Sequence, residues 1–323
     1  MNKKKIFNFL RIFVSIALLS FLIYRNRSNF DSILDTLKTL DIKFLVLAFL
    51  LFSIGISFIV FRWGVLLIAH GFNISKPFLW QSAYIGWFYN MLLPTGVGGD
   101  FYRVYDLHEN KGVPINENIS AVAMERIMGN FTGITLLIIS FFLGMFSYMP
   151  KNAVISLIAI LGVTLGFFIV LFFPRFFKID IILKKMKFTK RAHPKLKSFH
   201  EILISYRNKK KSVFIAFCYS VLIQTIFVTS YYCIGRSLGI NISYGMMVFT
   251  SPFASVVTSL PIALGGIGLR ENATVFVLEN FGISTGDATV FSFIVLSIIL
   301  FNSLLGGLVY VLKNTFYKSK GII

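Results

Sequence analysis

Charge is scarce in this chain, and negative charge scarcer still. Only 14% of the 323 residues are charged, and 13 acidic residues stand against 32 basic ones. A soluble domain carries about a quarter charged residues, so this set is too thin to cover a water-exposed surface. Cysteine is nearly absent. Cys218 and Cys233 lie in one apolar run, and helical spacing at ~1.5 Å per residue sets them ~22 Å apart. That excludes a bridge between them, and no Cys/His spacing of a zinc site accompanies them. No G-x-x-x-x-G-K-[ST] loop is present to cradle a nucleotide phosphate. No small-x-small cleavage site follows the first apolar segment, which Arg25 and Arg27 close. Residues 6–24 therefore read as an uncleaved first span.

What is abundant is hydrocarbon. Hydrophobic residues make up 56% of the chain, with 37 phenylalanines. The class is an all-α polytopic membrane protein. The formal charge of +19 would suit nucleic acid, but 13 of the 32 basic residues fall between Arg175 and Lys211. Basic residues concentrated in one loop between spans mark the cytoplasmic side and favour anionic headgroups. No nucleic-acid partner is expected.

Six segments are long enough for a ~30 Å hydrocarbon core: 6–24, 44–69, 127–149, 153–173, 212–234 and 289–312. Two shorter apolar segments, 78–94 and 245–262, end at Pro and glycine. Lysines at the amino end, in 175–211 and at the carboxyl end place all three in the cytoplasm, with the chain in the cell membrane. Parity then makes unit 78–118 start and end inside, and unit 245–285 start and end outside. The expected architecture is six full spans plus two re-entrant helical hairpins in an inverted-topology repeat, with halves 1–150 and 151–323.

The hairpin tips carry the chemistry. Pro94-Thr95-Gly96-Val97-Gly98-Gly99-Asp100 leads to Arg103, and Pro261-Ile262-Ala263-Leu264-Gly265-Gly266-Ile267-Gly268-Leu269 leads to Arg270-Glu271. Pro94, Gly96, Gly98, Gly99, Pro261, Gly265, Gly266 and Gly268 are expected to form the turns, because proline cannot continue a helix interior and glycine tolerates positive φ. Irregular backbone at membrane depth survives only where it is buried or lines a wet cavity. Helices starting after the turns would offer free N–H groups to an anion. Arg103 and Arg270 are candidate headgroup ligands, since a guanidinium matches phosphate geometry, with Asp100 and Glu271 as their resting counter-ions. Glu125 and Arg126 form a further charged pair at the start of the 127–149 span. A plainer reading competes: glycines that only allow close packing and Arg/acid pairs that only lock the hairpins. Arg62-Trp63 reads as a snorkelling interfacial pair. Asp106, Glu109 and Glu117 read as solvated charges, and His70 and His108 as interfacial residues. No metal site, cofactor or catalytic residue is expected.

The first glycine segment with Arg103, the second through Glu271, and the pairs Glu125-Arg126 and Arg62-Trp63 resemble the lysylphosphatidylglycerol synthase transmembrane-region family, also called flippase-like or UPF0104 proteins. The resemblance covers nearly the whole chain. It implies movement of a lipid between leaflets, and the arginine-bearing hairpins point to a phospholipid or polyprenyl-phosphate-linked headgroup. It also implies a stand-alone membrane region, because the chain ends at Ile323 just after its last span and the soluble aminoacyl-transferring domain of the synthase branch does not follow. The partner expected is a membrane lipid. Two other functions stay open: a membrane transferase acting on a lipid, using Asp100, Asp106 and Glu109, and a non-transporting partner of a separate lipid-modifying enzyme. Oligomerisation is left open. One consequence of the inverted reading is directly measurable. Single cysteines at Thr95 and Ala263, in a chain cleared of Cys218 and Cys233, should label from opposite membrane faces with an impermeant maleimide. Labelling of both from one face excludes the arrangement.

Overall fold

The computed structural model describes residues 3–25, 27, 35–93, 98–152, 154–155, 158, 162, 205–258 and 263–319. Its main elements are helices: α1 (Lys3–Arg25), α2 (Ile42–Ala69), α3 (Lys76–Leu92), α4 (Gly98–Lys111), α5 (Ile115–Phe142), α6 (Lys210–Ser237), α7 (Tyr244–Thr258), α8 (Leu269–Asn280) and α9 (Thr285–Ser319). Short 3₁₀ turns occupy Met145–Tyr148 and Leu264–Gly266. Among the described residues, α2, α5, α6 and α9 are long and apolar enough to cross a bilayer. The segment 6–24 lies within α1, and the expected span 153–173 falls almost wholly outside the described residues.

A helix is the form in which an apolar segment satisfies all its own backbone groups without water. The ends are set by the few polar and cyclic residues. The Asp41 side chain accepts the Lys43 N–H at 2.8 Å and caps α2. Pro77 sits in the first turn of α3, where its missing N–H costs nothing. Pro114 is the N-cap of α5.

That last boundary corrects the hydropathy reading. The helix expected over 127–149 begins at Ile115, so Glu125 and Arg126 lie in its interior and not at its start. The polar residues that masked the beginning are turned inward, Asn118 and Glu125 both being buried. The helix also ends at Phe142, and 145–148 is a 3₁₀ turn.

The most extensive packing in the molecule joins α2 to α6. They run antiparallel: the Ser230 hydroxyl donates to the Ala48 carbonyl at 2.8 Å, the Phe52 and Phe227 rings stand 4.9 Å apart, and Arg62 donates to Ser220 at 3.0 Å. Around this pair the two halves of the chain trade partners. Helix α3 packs on α9, and α5 packs on α7. The α3–α9 contact needs glycine, because a Cβ at Gly306 would lie 2.1 Å from the Tyr84 carbonyl oxygen. Further along α9, Lys313 reaches Asp106 of α4 at 2.6 Å, both side chains buried.

This close approach yields a test. Gly306→Ala should lower apparent stability by about 1–3 kcal/mol, against the ~1 kcal/mol that alanine ordinarily gains over glycine in a helix. Gly245→Ala meets its nearest atom at 3.6 Å and should stay within about 0.5 kcal/mol. Thermal unfolding of the detergent-solubilised protein, followed by size exclusion, measures both.

Candidate functional site

The two glycine segments meet at one cavity of about 370 Å³, bordered by Asp100, Arg103, Gly265, Gly266 and Arg270 together with Glu125 and Arg126 of α5. Arg11 of α1 and Arg62 of α2 complete its charged wall.

The first segment reaches the cavity through a capped helix end. Gly98 and Gly99 are the first residues of α4, not part of the turn. Gly99 is required for closeness: a Cβ there would stand 1.9 Å from the Gly86 carbonyl oxygen. The Gly99 N–H donates to the Asn90 side chain of α3 at 2.9 Å, so one free end of α4 is already filled. One turn later Arg103, 7% exposed, sits with its guanidinium carbon 3.9 Å from the centre of the Trp63 ring. Trp63 donates to Asn118 at 3.1 Å, and Asn118 donates to the Arg103 carbonyl at 3.2 Å. Pro94, Gly96 and Pro261 fall outside the described residues.

Glu125 is the hub. One carboxylate oxygen accepts from Arg103 at 2.8 Å and the other from Arg62 at 3.1 Å, in a site where Glu125 is 4% exposed. Asp100 binds Arg126 at 2.5 Å and lies 3.7 Å from Arg103, so its first partner is Arg126. Arg62, read from sequence as snorkelling, is buried and ion-paired. Its signal was present: it is the single charged residue of 44–69. The rest of that segment is so apolar that the charge looked like an end. Behind the Arg62–Glu125 pair a second cavity of about 190 Å³ is bordered by Gln224 and Ser255.

The second segment is a true turn. Gly265, Gly266 and Gly268 have φ of 56°, 79° and 82°, the left-handed region that side chains avoid. Helix α1 holds it, the Leu264 N–H donating to Ser15 at 2.8 Å and Asn272 to the Leu18 carbonyl at 3.1 Å. Glu271 makes no ion pair with Arg270 within 4 Å among the described residues, although the two opposite charges interact electrostatically. Its carboxylate accepts the Gly268 N–H at 2.5 Å and caps α8, and it does not border the cavity. Arg270 makes no ion pair among the described residues.

Three guanidinium nitrogens on this wall, Nε of Arg62, Nε of Arg103 and Nη1 of Arg270, are buried with no hydrogen-bond partner among the described residues. Buried donors are almost always paired, and these three belong to arginines that border the cavity. The other carboxylates read as solvated divide. Asp106 is spent on Lys313, Glu117 contacts His70, and Glu109 is exposed. His70 is buried at the end of α2, where desolvation and then Lys209 hold its imidazole below the ordinary value. His108 Nδ1 lies 3.1 Å from the Val113 carbonyl oxygen.

Long apolar helices bordering a charged cavity define a helical membrane protein. The chain belongs to the family described as the lysylphosphatidylglycerol synthase TM region, whose model matches residues 8–306. It is 27% identical over 199 residues to a UPF0104 membrane protein of Methanocaldococcus jannaschii, covering 59% of this chain and 79% of that one. It is 19% identical over 283 residues to a UPF0104 membrane protein of Pyrococcus horikoshii, covering 81% and 84%. No solved structure matches.

Removing the hub separates its role from that of the rim. Glu125→Ala leaves two buried guanidiniums facing each other without a counter-ion and should cost about 3–5 kcal/mol. Arg126→Ala, at a half-exposed pair, should cost no more than about 1 kcal/mol. Denaturation of both variants in mixed micelles gives the comparison.

Proposed function

We propose that this protein binds the anionic headgroup of a membrane lipid in the cavity between its two glycine segments and carries it between leaflets. The observation that carries the reading is the wall of that cavity. Arginines from α2, α4 and α8 border one space, and each keeps a guanidinium nitrogen without a hydrogen-bond partner among the described residues; guanidinium is the side chain that best fits phosphate. The acyl chains would stay in the bilayer while the headgroup occupies the cavity. Family membership agrees with a membrane protein whose substrate is itself a lipid.

The architecture we read is the inverted repeat of two re-entrant hairpins. The antiparallel α2–α6 pair and the exchanged pairings of α3 with α9 and α5 with α7 support it, because a two-fold axis between α2 and α6 would relate each contact to the other. Sites at such repeat interfaces serve alternating access, in which one bundle rocks against the other. The transferase alternative loses support, since Asp100 and Asp106 each hold a cation of their own.

Scrambling of fluorescent anionic phospholipid in proteoliposomes tests the proposal. Arg103→Ala and Arg270→Ala should each slow transport roughly tenfold or more, the scale of a lost charge-assisted contact. Wild-type rates in both variants, with intact folding, reject the site.

A further inference from the structure

A second cluster of charged groups lies outside the cavity, at the carboxyl end of α2. We infer that His70 is a proton-operated bolt there: its neutral imidazole holds the segment 205–209 through Lys209, and its protonated form holds Glu117 and lets Lys209 go. This goes beyond the headgroup reading and does not rest on it.

Three parts of the chain converge on one ring nitrogen. Nδ1 of His70 lies 3.0 Å from the Lys209 ammonium and contacts a carboxylate oxygen of Glu117, in the first turn of α5. A ring nitrogen accepts from an ammonium through its lone pair, or donates to a carboxylate through its hydrogen. It cannot do both at once, so the two contacts belong to two states of the ring. Nε2 is buried with no hydrogen-bond partner among the described residues, which leaves Nδ1 as the atom that meets charge. Tyr206 packs on the imidazole at right angles with ring centres 4.7 Å apart, and its hydroxyl donates to the Leu66 carbonyl at 3.3 Å. The His70 side chain is 4% exposed, so burial and these neighbours set its proton state.

The groups that face His70 are Glu117 from α5 and Lys209 with Tyr206 from 205–209, while Arg62, about two turns back on α2, is taken up by Glu125. Desolvation first, then Lys209, oppose a proton on the ring. Glu117 favours it, and the balance holds the imidazole below its ordinary value. The ring is therefore neutral near pH 7.5. An unfolded histidine takes up its proton earlier as pH falls. The stabilisation from this arrangement is thus complete above about pH 6.5 and is lost on acidification through the lower folded value. Once protonated, imidazolium and ammonium are like charges at hydrogen-bond distance, and the carboxylate is the partner that remains. Lys209 is the N-cap of α6, so its release frees the segment that leads into that helix. His70 and Glu117 join the same helix pair, α2 and α5, that Arg62 and Glu125 join further in.

Two measurements on the full chain in nanodiscs test the bolt. Spin labels at Asn116 and Asn208, both exposed, in a chain cleared of Cys218 and Cys233, report the distance between the start of α5 and the segment 205–209. Double electron–electron resonance from about pH 8 to about pH 5 should show that distance lengthen and broaden in one step below about pH 6.5. The step should vanish in His70→Gln, which has no ring to protonate, and in Lys209→Gln, which has no ammonium to expel. The second measurement follows the His70 imidazole itself by NMR of histidine-labelled protein. Its titration midpoint should move to higher pH in Lys209→Gln and to lower pH in Glu117→Gln, opposite signs that a merely structural contact would not produce. Where His70→Gln fails to fold, those two midpoints decide instead. A flat distance in the wild-type chain overturns the inference, as does a step that survives in His70→Gln. A His70 midpoint that Lys209→Gln leaves in place overturns it as well. Neither measurement needs a bound lipid. Their failure leaves the headgroup reading standing, and absence of scrambling leaves the bolt standing.

Discussion

A carboxylate held between two guanidiniums inside apolar helices is the interaction on which this structure turns. Moving one such ion from water to a hydrocarbon-like medium costs on the order of 20 kcal/mol in the idealised limit, and Glu125, Arg62 and Arg103 are all nearly inaccessible. The triad survives because each member is compensated more than once. Glu125 uses both oxygens, Arg62 adds Ser220, and Arg103 adds the face of Trp63. Trp63 is in turn fixed through Asn118, which also binds the Arg103 backbone. Helices α2, α4, α5 and α6 are thereby tied at one point by polar contacts that cannot be traded for lipid contacts.

Glycine makes this point reachable. The carboxylate sits on α5, and its partners come from α2 and from the start of α4. Bringing α4 that close requires α3 and α4 to touch backbone to backbone at Gly86 and Gly99, with Asn90 filling the exposed end. Helix α3 must in turn lie against α9 at Gly306. Without a hydrophobic force between helices in lipid, such small-residue contacts are the main way to gain packing energy. The second segment uses glycine differently, for positive φ in a turn that α1 clasps. Two segments that look alike in sequence thus do unlike structural work while delivering an arginine to the same cavity.

Much of this was legible in the sequence, and the rest was hidden for physical reasons. Hydropathy found the helices because a bilayer imposes length and apolarity together. It misplaced the start of α5, where Asn118 and Glu125 face protein and so look polar to a scale that assumes lipid. Arg103, Arg270 and Asp100 were named from the glycine context and Glu125 and Arg126 as charges at the edge of a span, and the five do share one cavity. The pairing among them was not readable, because it depends on which helices touch: Glu125 lies 22 positions from Arg103 and 63 from Arg62. Adjacent position suggested Glu271 for Arg270, yet a glutamate three residues past an N-cap serves its own helix first. Asp106 was taken as solvated because its partner Lys313 lies on the far end of the chain, 207 residues away.

The same triad separates what is static in the cavity from what is not. Arg62 and Arg103 each spend part of a guanidinium on Glu125 and keep one nitrogen unpartnered, whereas Arg270 spends nothing on an ion pair among the described residues. On the proposed reading, an anion would meet Arg270 beside Glu271 and would meet Arg103 and Arg62 as donors already aligned by a carboxylate. Aligned donors lose little entropy on binding, which is how preorganised sites gain affinity. Glu125 also limits that affinity, because its negative charge opposes the incoming one across the same guanidiniums. On the proposed transport reading this opposition would be useful, since headgroup affinity that is too high would halt the cycle at the bound state.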